Sequence, residues 1–156
     1  MRPPEGFSPH FRTSPLTEPW EPILSRVVPG EAVRIGLVLR EAHCNGRGFV
    51  HGGLIAALAD NAMGLSCGLV GGTIAIPGEP SSPDTQSAAA HPAEAPRRGY
   101  LTVGLTVDYL ATGRPGQWFE VRPRVIRVGR RMAFADALIE IDGKTAARAS
   151  ASFQAA

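Results

Sequence analysis

Hydrophobic and polar residues alternate, or β-branched residues accumulate, along five segments of the chain, which is typical of β-strands. The first segment is 33–40, and four more occupy the second half of the chain at 100–110, 118–128, 132–141 and 145–153. Short turns separate the last three segments, and Asp142-Gly143 is a strong signal for a hairpin. The second half of the chain therefore predicts four strands, most of them joined by tight turns.

Between the first segment and the others, the hydrophobic pattern changes to a helical period. Residues 51–69 are almost all apolar or small, and Leu54, Leu58 and Leu65 recur at helical spacing. A helix that is apolar nearly all round its axis belongs in the interior of a protein. The order of one strand, one helix and four strands predicts an α+β fold, in which an antiparallel sheet packs against one long helix.

Two segments lie outside these elements. Residues 1–31 contain seven prolines, which exclude a long helix or a central strand and predict an irregular N-terminal arm. Residues 71–99 carry Gly or Pro at nine of 29 positions, which predicts a long loop that is either mobile or functional. The 156 residues of the chain are enough for one domain, so we assign 32–156 to it, with 71–99 as a loop insertion.

Charge and cysteine content exclude several classes of protein. The formal net charge is +2, whereas a dedicated nucleic-acid-binding domain usually carries a larger and clustered basic excess. Cys44 and Cys67 are too few for a disulfide scaffold and lack the spacing of zinc ligands, so we expect two free, buried thiols. The N-terminus lacks the apolar run of a signal peptide. We therefore expect a soluble cytoplasmic protein without membrane or nucleic-acid partners.

One carboxylate is unusual within the predicted helix. Asp60 is the only acidic residue between Glu41 and Glu79. A carboxylate among apolar neighbours is costly unless it has a partner or a function, so Asp60 is either a paired structural group or a catalytic candidate. At about 100° per residue, Asp60 shares a helix face with small side chains. The other residues of that predicted face are Gly53, Ala56, Ala57, Met63, Gly64 and Cys67.

The start of the same helix offers hydrogen-bond donors to a ligand. The first N–H groups of a helix have no partner within it, the helix dipole makes that end partly positive, and Gly52-Gly53 has no side chain to keep a ligand oxygen away. This is the arrangement of an oxyanion hole, although a glycine pair can also serve only to pack a tight turn. Asn45 and His51 can donate hydrogen bonds into the same position, although each residue type is more often structural. Together these groups predict a site for acyl transfer, in which a carbonyl points at the helix start and Asp60 attacks it or activates a water.

The combined motif resembles that of a known family. The residues that carry it are His43, Asn45, Gly48, His51, Gly52, Gly53, Asp60, Asn61 and Ala62. They are similar to the motif of the hotdog-fold acyl-CoA thioesterases, specifically of the PaaI-like branch of the phenylacetate-pathway type. The resemblance covers about residues 30–153 apart from 71–99, and the predicted order of elements agrees with it.

The resemblance implies a hotdog fold, whose antiparallel sheet wraps around the long helix, and a dimer or dimer of dimers with sites at the subunit interface. It implies hydrolysis of an acyl-CoA thioester to free acid and CoA, with no cofactor because coenzyme A is part of the substrate. The Gly52 N–H would polarise the thioester carbonyl, and Asn45 and His51 would hold the acyl or carbonyl region. Asp60 of the opposite subunit would act as general base or nucleophile, and Thr102 would help to place the water.

The resemblance also directs attention to arginines that could contact the CoA phosphates. Arg130 and Arg131 are the first candidates because their turn corresponds to a segment that often lies near those phosphates, and a solvated arginine surface is the alternative. Weaker candidates are Arg97, Arg98 and Arg114. The acyl group stays open, since the loop 71–99 could lie over its pocket.

Two other functions stay open on the sequence alone. A non-catalytic module could bind acyl-CoA in the same pocket, in which case no free thiol would be released. An enoyl-CoA hydratase could use the same fold, but the Asp/His dyad expected of that branch is not evident here.

Overall fold

A single helix packs against one large antiparallel sheet in the computed structural model, which describes residues 2–78 and 99–156. The helix, α1, is Gly52–Val70. The strands are β1 (Ser8–Pro9), β2 (Leu24–Val28), β3 (Ala32–Val38), β4 (Tyr100–Tyr109), β5 (Trp118–Val128), β6 (Met132–Ile141) and β7 (Lys144–Ala155). Short 3-10 turns form at Glu18–Trp20 and Glu41–His43. Across the sheet the strand order is β1-β2-β3-β5-β6-β7-β4, with every neighbouring pair antiparallel.

The predicted elements are confirmed, with shifts of a few residues at some ends. The predicted helix at 51–69 is Gly52–Val70, and the predicted strands at 118–128 and 132–141 coincide with β5 and β6. Residues 71–78 form turns at the end of α1. The rest of the predicted loop insertion, 79–98, lies outside the described residues.

The core forms where α1 crosses the middle of the sheet. Leu54, Leu58 and Met63 of α1 are at most 3% exposed and belong to the same buried cluster as the inward side chains of the strands. Small side chains on β6 and β7 let the helix approach the sheet closely. The buried alanines of these two strands are Ala133, Ala135, Ala137, Ala146, Ala147, Ala149 and Ala151. By length and composition alone α1 could cross a membrane, and its position against the sheet accounts for its apolar character.

The N-terminal arm is more regular than its prolines predict. We expected residues 1–31 to be irregular, but β2 lies inside the sheet between β1 and β3. The window between Pro22 and Pro29 contains no proline, so its N–H groups can join the ladder with β3. The prolines are confined to the flanking turns and to β1, a two-residue strand at the edge of the described sheet.

A β-bulge in β4 changes which side chains of that strand face the helix, and the predicted alternation is wrong at this point. Strict alternation would put Thr102 on the face opposite to Leu105. The register with β7 shifts between Thr102 and Gly104, so that Thr102 pairs with the inward-facing Phe153 while Leu105 pairs with the inward-facing Ala151. Both Thr102 and Leu105 therefore point to the helix side of the sheet, as a bulge re-aims a side chain.

A buried serine connects the helix to the sheet where strand pairing stops. β3 pairs with β5 only from Ile35 to Val38, and the N–H of Val33 instead donates to Ser66 Oγ at 2.9 Å. The Ser66 hydroxyl in turn donates to the carbonyl of Ala62 at 2.6 Å, and Ser66 is fully buried. Ser66 therefore takes the place of a missing neighbouring strand for this part of β3.

We predict that Ser66→Ala lowers the free energy of unfolding by about 1–3 kcal/mol, because it leaves the buried N–H of Val33 without an acceptor. Equilibrium unfolding in urea, followed by circular dichroism, measures this change. Ser150→Ala, at an exposed position on β7, is the matched control and is expected to have little effect. Equal stability of the two variants would contradict the role assigned to Ser66.

Candidate active site

The turn that precedes α1 is organised by the side chain of Asn45. Its carboxamide oxygen accepts the N–H of Arg47 at 2.9 Å and the N–H of Phe49 at 3.3 Å. The backbone closes the turn as a bridge between Cys44 and Val50. The turn uses the oxygen of Asn45, so only its NH₂ group is left for the predicted contact with a ligand.

His51 caps the helix and fixes which backbone donors are free. Its Nδ1 accepts the N–H of Gly53 at 2.9 Å, as an N-cap side chain does. A neutral ring that accepts at Nδ1 carries its proton on Nε2, which can donate to a ligand. We predicted that both glycines of the pair would serve a ligand, but the N–H of Gly53 is already used by His51. Within residues 2–78 and 99–156 no acceptor is paired with the N–H of Gly52, so that group is the available donor.

Tyr109, at the end of β4, holds the peptide between Gly52 and Gly53, whose N–H is the one that His51 accepts. Its hydroxyl donates to the carbonyl oxygen of Gly52 at 2.8 Å. A Cβ on Gly52 would lie 3.2 Å from the Tyr109 ring, so only glycine leaves this contact relaxed. His51 and Tyr109 together fix the orientation of the first helical peptides. We call Asn45, His51, Gly52 and Tyr109 the donor end of α1.

Asp60 lies on a half-exposed face of α1 and already has one polar partner. The hydroxyl of Thr102 donates to Asp60 Oδ1 at 2.7 Å, a contact that depends on the bulge in β4. The predicted small-residue face is open only in part, because Met63 and Cys67 are fully buried in the core. The half-exposed positions beside Asp60 are Ala56, Ala57, Asn61 and Gly64. We call Asp60 and Thr102 the acid end.

The donor end and the acid end of one chain cannot act on the same carbonyl. Gly52 and Asp60 are eight positions apart on one helix, which corresponds to about 12 Å along its axis. A bond-forming contact needs the two groups within hydrogen-bond reach of one thioester. The direct interpretation of the sequence, in which Asp60 attacks a carbonyl held at the start of its own helix, is therefore wrong for a single chain.

A pocket of about 160 Å³ opens at the acid end. It begins at Asp60 and Thr102 and extends along α1 past Gly64 to Gly68. Its remaining walls come from five parts of the chain, which are the N-terminal arm, α1, the turns after α1, the start of β4, and β7. They include Arg12, Asn61, Leu65, Thr73, Ile74, Gly99, Tyr100 and Phe153.

His43, which belongs to the sequence motif, has a structural role. It is 1% exposed, its Nδ1 accepts the N–H of Arg40 at 3.1 Å, and its Nε2 is 3.0 Å from the carbonyl oxygen of Trp20. Burial lowers the pKa of His43 below its ordinary value, which favours the neutral ring. His43 therefore anchors the N-terminal arm to the turn before α1.

The cysteines are not suited to nucleophilic catalysis. Both are free thiols, as predicted, but only Cys67 is buried and Cys44 is half-buried. Burial raises the pKa of Cys67 to about 11, so that almost no thiolate exists at neutral pH. In the part of the chain that the structure describes, no three His, Cys, Asp or Glu side chains are grouped so that they could hold a metal ion.

The predicted arginines occupy different positions around the site. Arg130 and Arg131 are exposed in the turn between β5 and β6, and Val128 at the start of this turn lies against Gly71 at the end of α1. Arg114 instead stacks over the ring of Phe49, with its guanidinium carbon 4.4 Å from the ring centroid. Arg97 and Arg98 lie outside the described residues.

Comparison with known proteins assigns the chain to a family. The sequence profile described as "Thioesterase superfamily" matches residues 47–147, which include the acid end and, of the donor end, His51, Gly52 and Tyr109. The chain belongs to the thioesterase superfamily. A protein of Pseudomonas aeruginosa named "putative esterase" is 35% identical over 153 residues, which cover 98% of this chain and 97% of that protein. Membership of the thioesterase superfamily supports thioester hydrolysis as the activity.

Solved structures of thioesterases confirm the predicted hotdog fold. A hypothetical thioesterase of Streptococcus pneumoniae with coenzyme A superposes with a TM-score of 0.65 at 16% identity, covering 86% of this chain and 85% of that one. A Streptococcus mutans protein bound to acetyl-CoA gives a TM-score of 0.64 at 18% identity, covering 85% and 86%. At this level of identity the likeness to these two proteins concerns the fold.

Sequence reasoning missed two residues that the structure brings to the candidate site. Tyr109 resembles any aromatic residue at the end of a strand, and only the packing of β4 against the start of α1 shows its bond to Gly52. Arg12 lies in the proline-rich arm, 48 positions before Asp60, and reaches the same pocket through the tertiary fold. Neither position carries a local signal, because both contacts are long-range.

Proposed function

We propose that this protein hydrolyses acyl-CoA thioesters to the free acid and CoA, as a member of the PaaI-like branch. The observation that carries the proposal is the position of Asp60, a half-exposed carboxylate oriented by Thr102 at the mouth of a pocket, on the helix whose start presents the free N–H of Gly52. The superfamily supplies the reaction class. The structures of the similar proteins with coenzyme A and acetyl-CoA support a CoA thioester as the substrate.

In the proposed mechanism, the thioester carbonyl accepts a hydrogen bond from the Gly52 N–H at the positive end of the helix dipole. His51 Nε2 and the Asn45 amide donate from the same side, because their other polar atoms are used within the turn. These donors stabilise the negative charge that develops on the carbonyl oxygen. Tyr109 holds the next peptide of the helix, Gly52–Gly53, through the carbonyl of Gly52, and so helps to keep Gly52 in place.

Asp60 supplies the other half of the reaction. As general base it takes a proton from water while the water oxygen bonds to the carbonyl carbon, and the tetrahedral intermediate then collapses with cleavage of the C–S bond. The leaving CoA thiolate takes up the proton, which yields CoA and the free acid. Thr102 donates to one carboxylate oxygen and leaves the other for the water. In the alternative, the Asp60 carboxylate attacks the carbonyl carbon, the C–S bond breaks to release CoA, and water then hydrolyses the anhydride to the free acid and Asp60.

The separation of the two ends along α1 leads us to propose a dimer. A thioester bound at one donor end needs the Asp60 of a second chain, since its own Asp60 is about 12 Å away along the axis. β4 offers the surface for that second chain, because it lies at the edge of the described sheet with Leu101, Val103 and Leu105 between 38% and 61% exposed. An apolar edge strand of this kind is usually covered by a partner.

We also propose that the CoA phosphates bind near Arg130 and Arg131, the exposed arginines of the turn between β5 and β6.

We predict that Asp60→Asn lowers kcat by at least about 100-fold, because the amide cannot accept the proton of the attacking water. Free thiol released from a panel of acyl-CoA thioesters measures the rate. The fold is expected to survive, since Thr102 can donate to the amide oxygen. Asp136→Asn, on a strand face where Asp136 pairs with Arg124 at 2.6 Å, is the control and should retain activity. Near-full activity of folded Asp60→Asn would remove Asp60 from the mechanism.

The Gly52 N–H can be removed without deleting a side chain. Gly52 is the first residue of α1, where proline is tolerated, and His51 before it has the extended conformation that precedes proline (φ −72°, ψ 131°). We predict that Gly52→Pro lowers kcat by about 10²–10³. Gly52→Ala adds the same Cβ against Tyr109 but keeps the N–H, so it should lose much less. Similar losses in both variants would show that crowding, and not the donor, matters.

Mixed dimers of Asp60→Asn and Gly52→Pro are expected to be active, although each variant alone is nearly inactive. In a mixed dimer of Asp60→Asn and Gly52→Pro, one site carries both changes and the other carries neither. Co-refolding equal amounts should therefore recover about a quarter of the wild-type rate, given random pairing of subunits. Either variant refolded alone is the control. No recovery despite mixed dimers, shown by native mass spectrometry, would place both groups of each site in one chain.

A further inference from the structure

The pocket at the acid end is small and closed on one side by the helix itself. Its volume of about 160 Å³ is near that of an apolar cavity of roughly 150 Å³ that holds one benzene molecule. Glycines of α1 let the walls approach: a Cβ on Gly64 would lie 3.3 Å from Phe153, and a Cβ on Gly68 would lie 2.8 Å from Ile74. An acyl group whose carbonyl is next to Asp60 can extend into this space if it is short.

One wall of the pocket carries a positive charge. Among the described residues that line the pocket, Arg12 is the one cationic side chain and Asp60 is the one anionic side chain. Arg12 forms no salt bridge and no side-chain hydrogen bond with any residue in 2–78 or 99–156. Its guanidinium is therefore available to a ligand, and its planar donors match a carboxylate in a bidentate arrangement.

The N-terminal arm holds Arg12 at this position. β1 pairs with β2, and the N–H of His10 donates to the carbonyl of Ile23 at 2.9 Å. Phe11, the residue before Arg12, packs against the core. The backbone is thus held by β1 and by the packing of Phe11 immediately before Arg12, so the fold brings the exposed Arg12 side chain to the wall of the pocket.

We propose that the pocket selects a short acyl group with a carboxylate at its far end, and that Arg12 binds this carboxylate. The inference rests on the proposed thioesterase function and names its substrate class. The two charges of the lining explain the selection: Asp60 repels a carboxylate close to the thioester, whereas Arg12 attracts one that reaches its guanidinium. Monothioesters of short dicarboxylic acids meet both conditions.

The test compares two CoA thioesters of equal chain length, glutaryl-CoA and valeryl-CoA, which differ in the terminal carboxylate. The ratio of their kcat/KM values, corrected for hydrolysis without enzyme, isolates the contribution of that group. We expect wild type to prefer glutaryl-CoA and Arg12→Gln to lose about tenfold or more of this preference, with valeryl-CoA hydrolysis little changed. Arg12→Lys keeps the charge without the bidentate geometry and should restore part of the ratio.

Arg131→Gln is the comparison for a contact with CoA itself. It is expected to raise KM for both thioesters by the same factor, because both carry the same phosphates. If Arg12→Gln also weakens both substrates equally, Arg12 contacts CoA and the inference is wrong. A wild-type enzyme that cleaves valeryl-CoA without preferring glutaryl-CoA overturns the inference but leaves the thioesterase function standing.

Binding separates failure of the inference from failure of the function. If neither thioester releases thiol, the proposed function fails. Calorimetry on Asp60→Asn then measures the dissociation constants of the two thioesters and tests whether the pocket binds the terminal carboxylate. Tighter binding of glutaryl-CoA than valeryl-CoA, lost on adding Arg12→Gln, would still support the carboxylate contact. Equal dissociation constants would exclude it.

Discussion

The rise of an α-helix sets the constraint on which this site depends. Gly52 and Asp60 are eight positions apart on α1, and the helix is packed too firmly against the sheet to bring them closer. A thioester has one carbonyl, so an oxyanion donor and a base that both act on it must come from different helices. In the proposed mechanism, the chain thus contains both halves of a site and needs a second copy to complete it. A two-fold axis that places two copies of α1 in opposite directions would complete two sites at once, because an isologous interface repeats each contact on both subunits.

One strand, β4, supports both halves. Its bulge turns Thr102 toward Asp60, and at its other end Tyr109 holds the peptide of Gly52. The same strand lies at the edge of the described sheet and exposes Leu101, Val103 and Leu105. In the proposed dimer, neighbouring residues of this single strand would therefore serve both the interface and the chemistry. A partner that covers β4 would also exclude water from the donor end and the acid end, which strengthens every electrostatic interaction there.

Much of the fold follows from patterns in the sequence, because helix and strand periods are local properties of the chain. The helical period of 51–69 and the strand patterns of β5 and β6 specify those elements within a few residues. Within the site, Asp60, Gly52 and Thr102 could be found because their residue types are unusual for their positions or match a family motif. The inward turn of Thr102, the burial of Met63 and the use of the Gly53 N–H could not, since each depends on register or on a neighbouring side chain. The contacts of Tyr109 and Arg12 depend on the tertiary fold alone.

The proline-rich arm shows how a charge can be placed with little secondary structure. β1 is only two residues long, which would hold a flexible segment poorly. Pro3, Pro4 and Pro9 restrict the unfolded arm, so that less conformational entropy is lost when it docks beside β2. A modest apolar contact of the Phe11 ring with the core is then enough to hold the backbone next to Arg12. Composition that excludes a helix is thus compatible with a well-positioned side chain, and the same prolines that made the arm look irregular help to keep a cation at the acid end of α1.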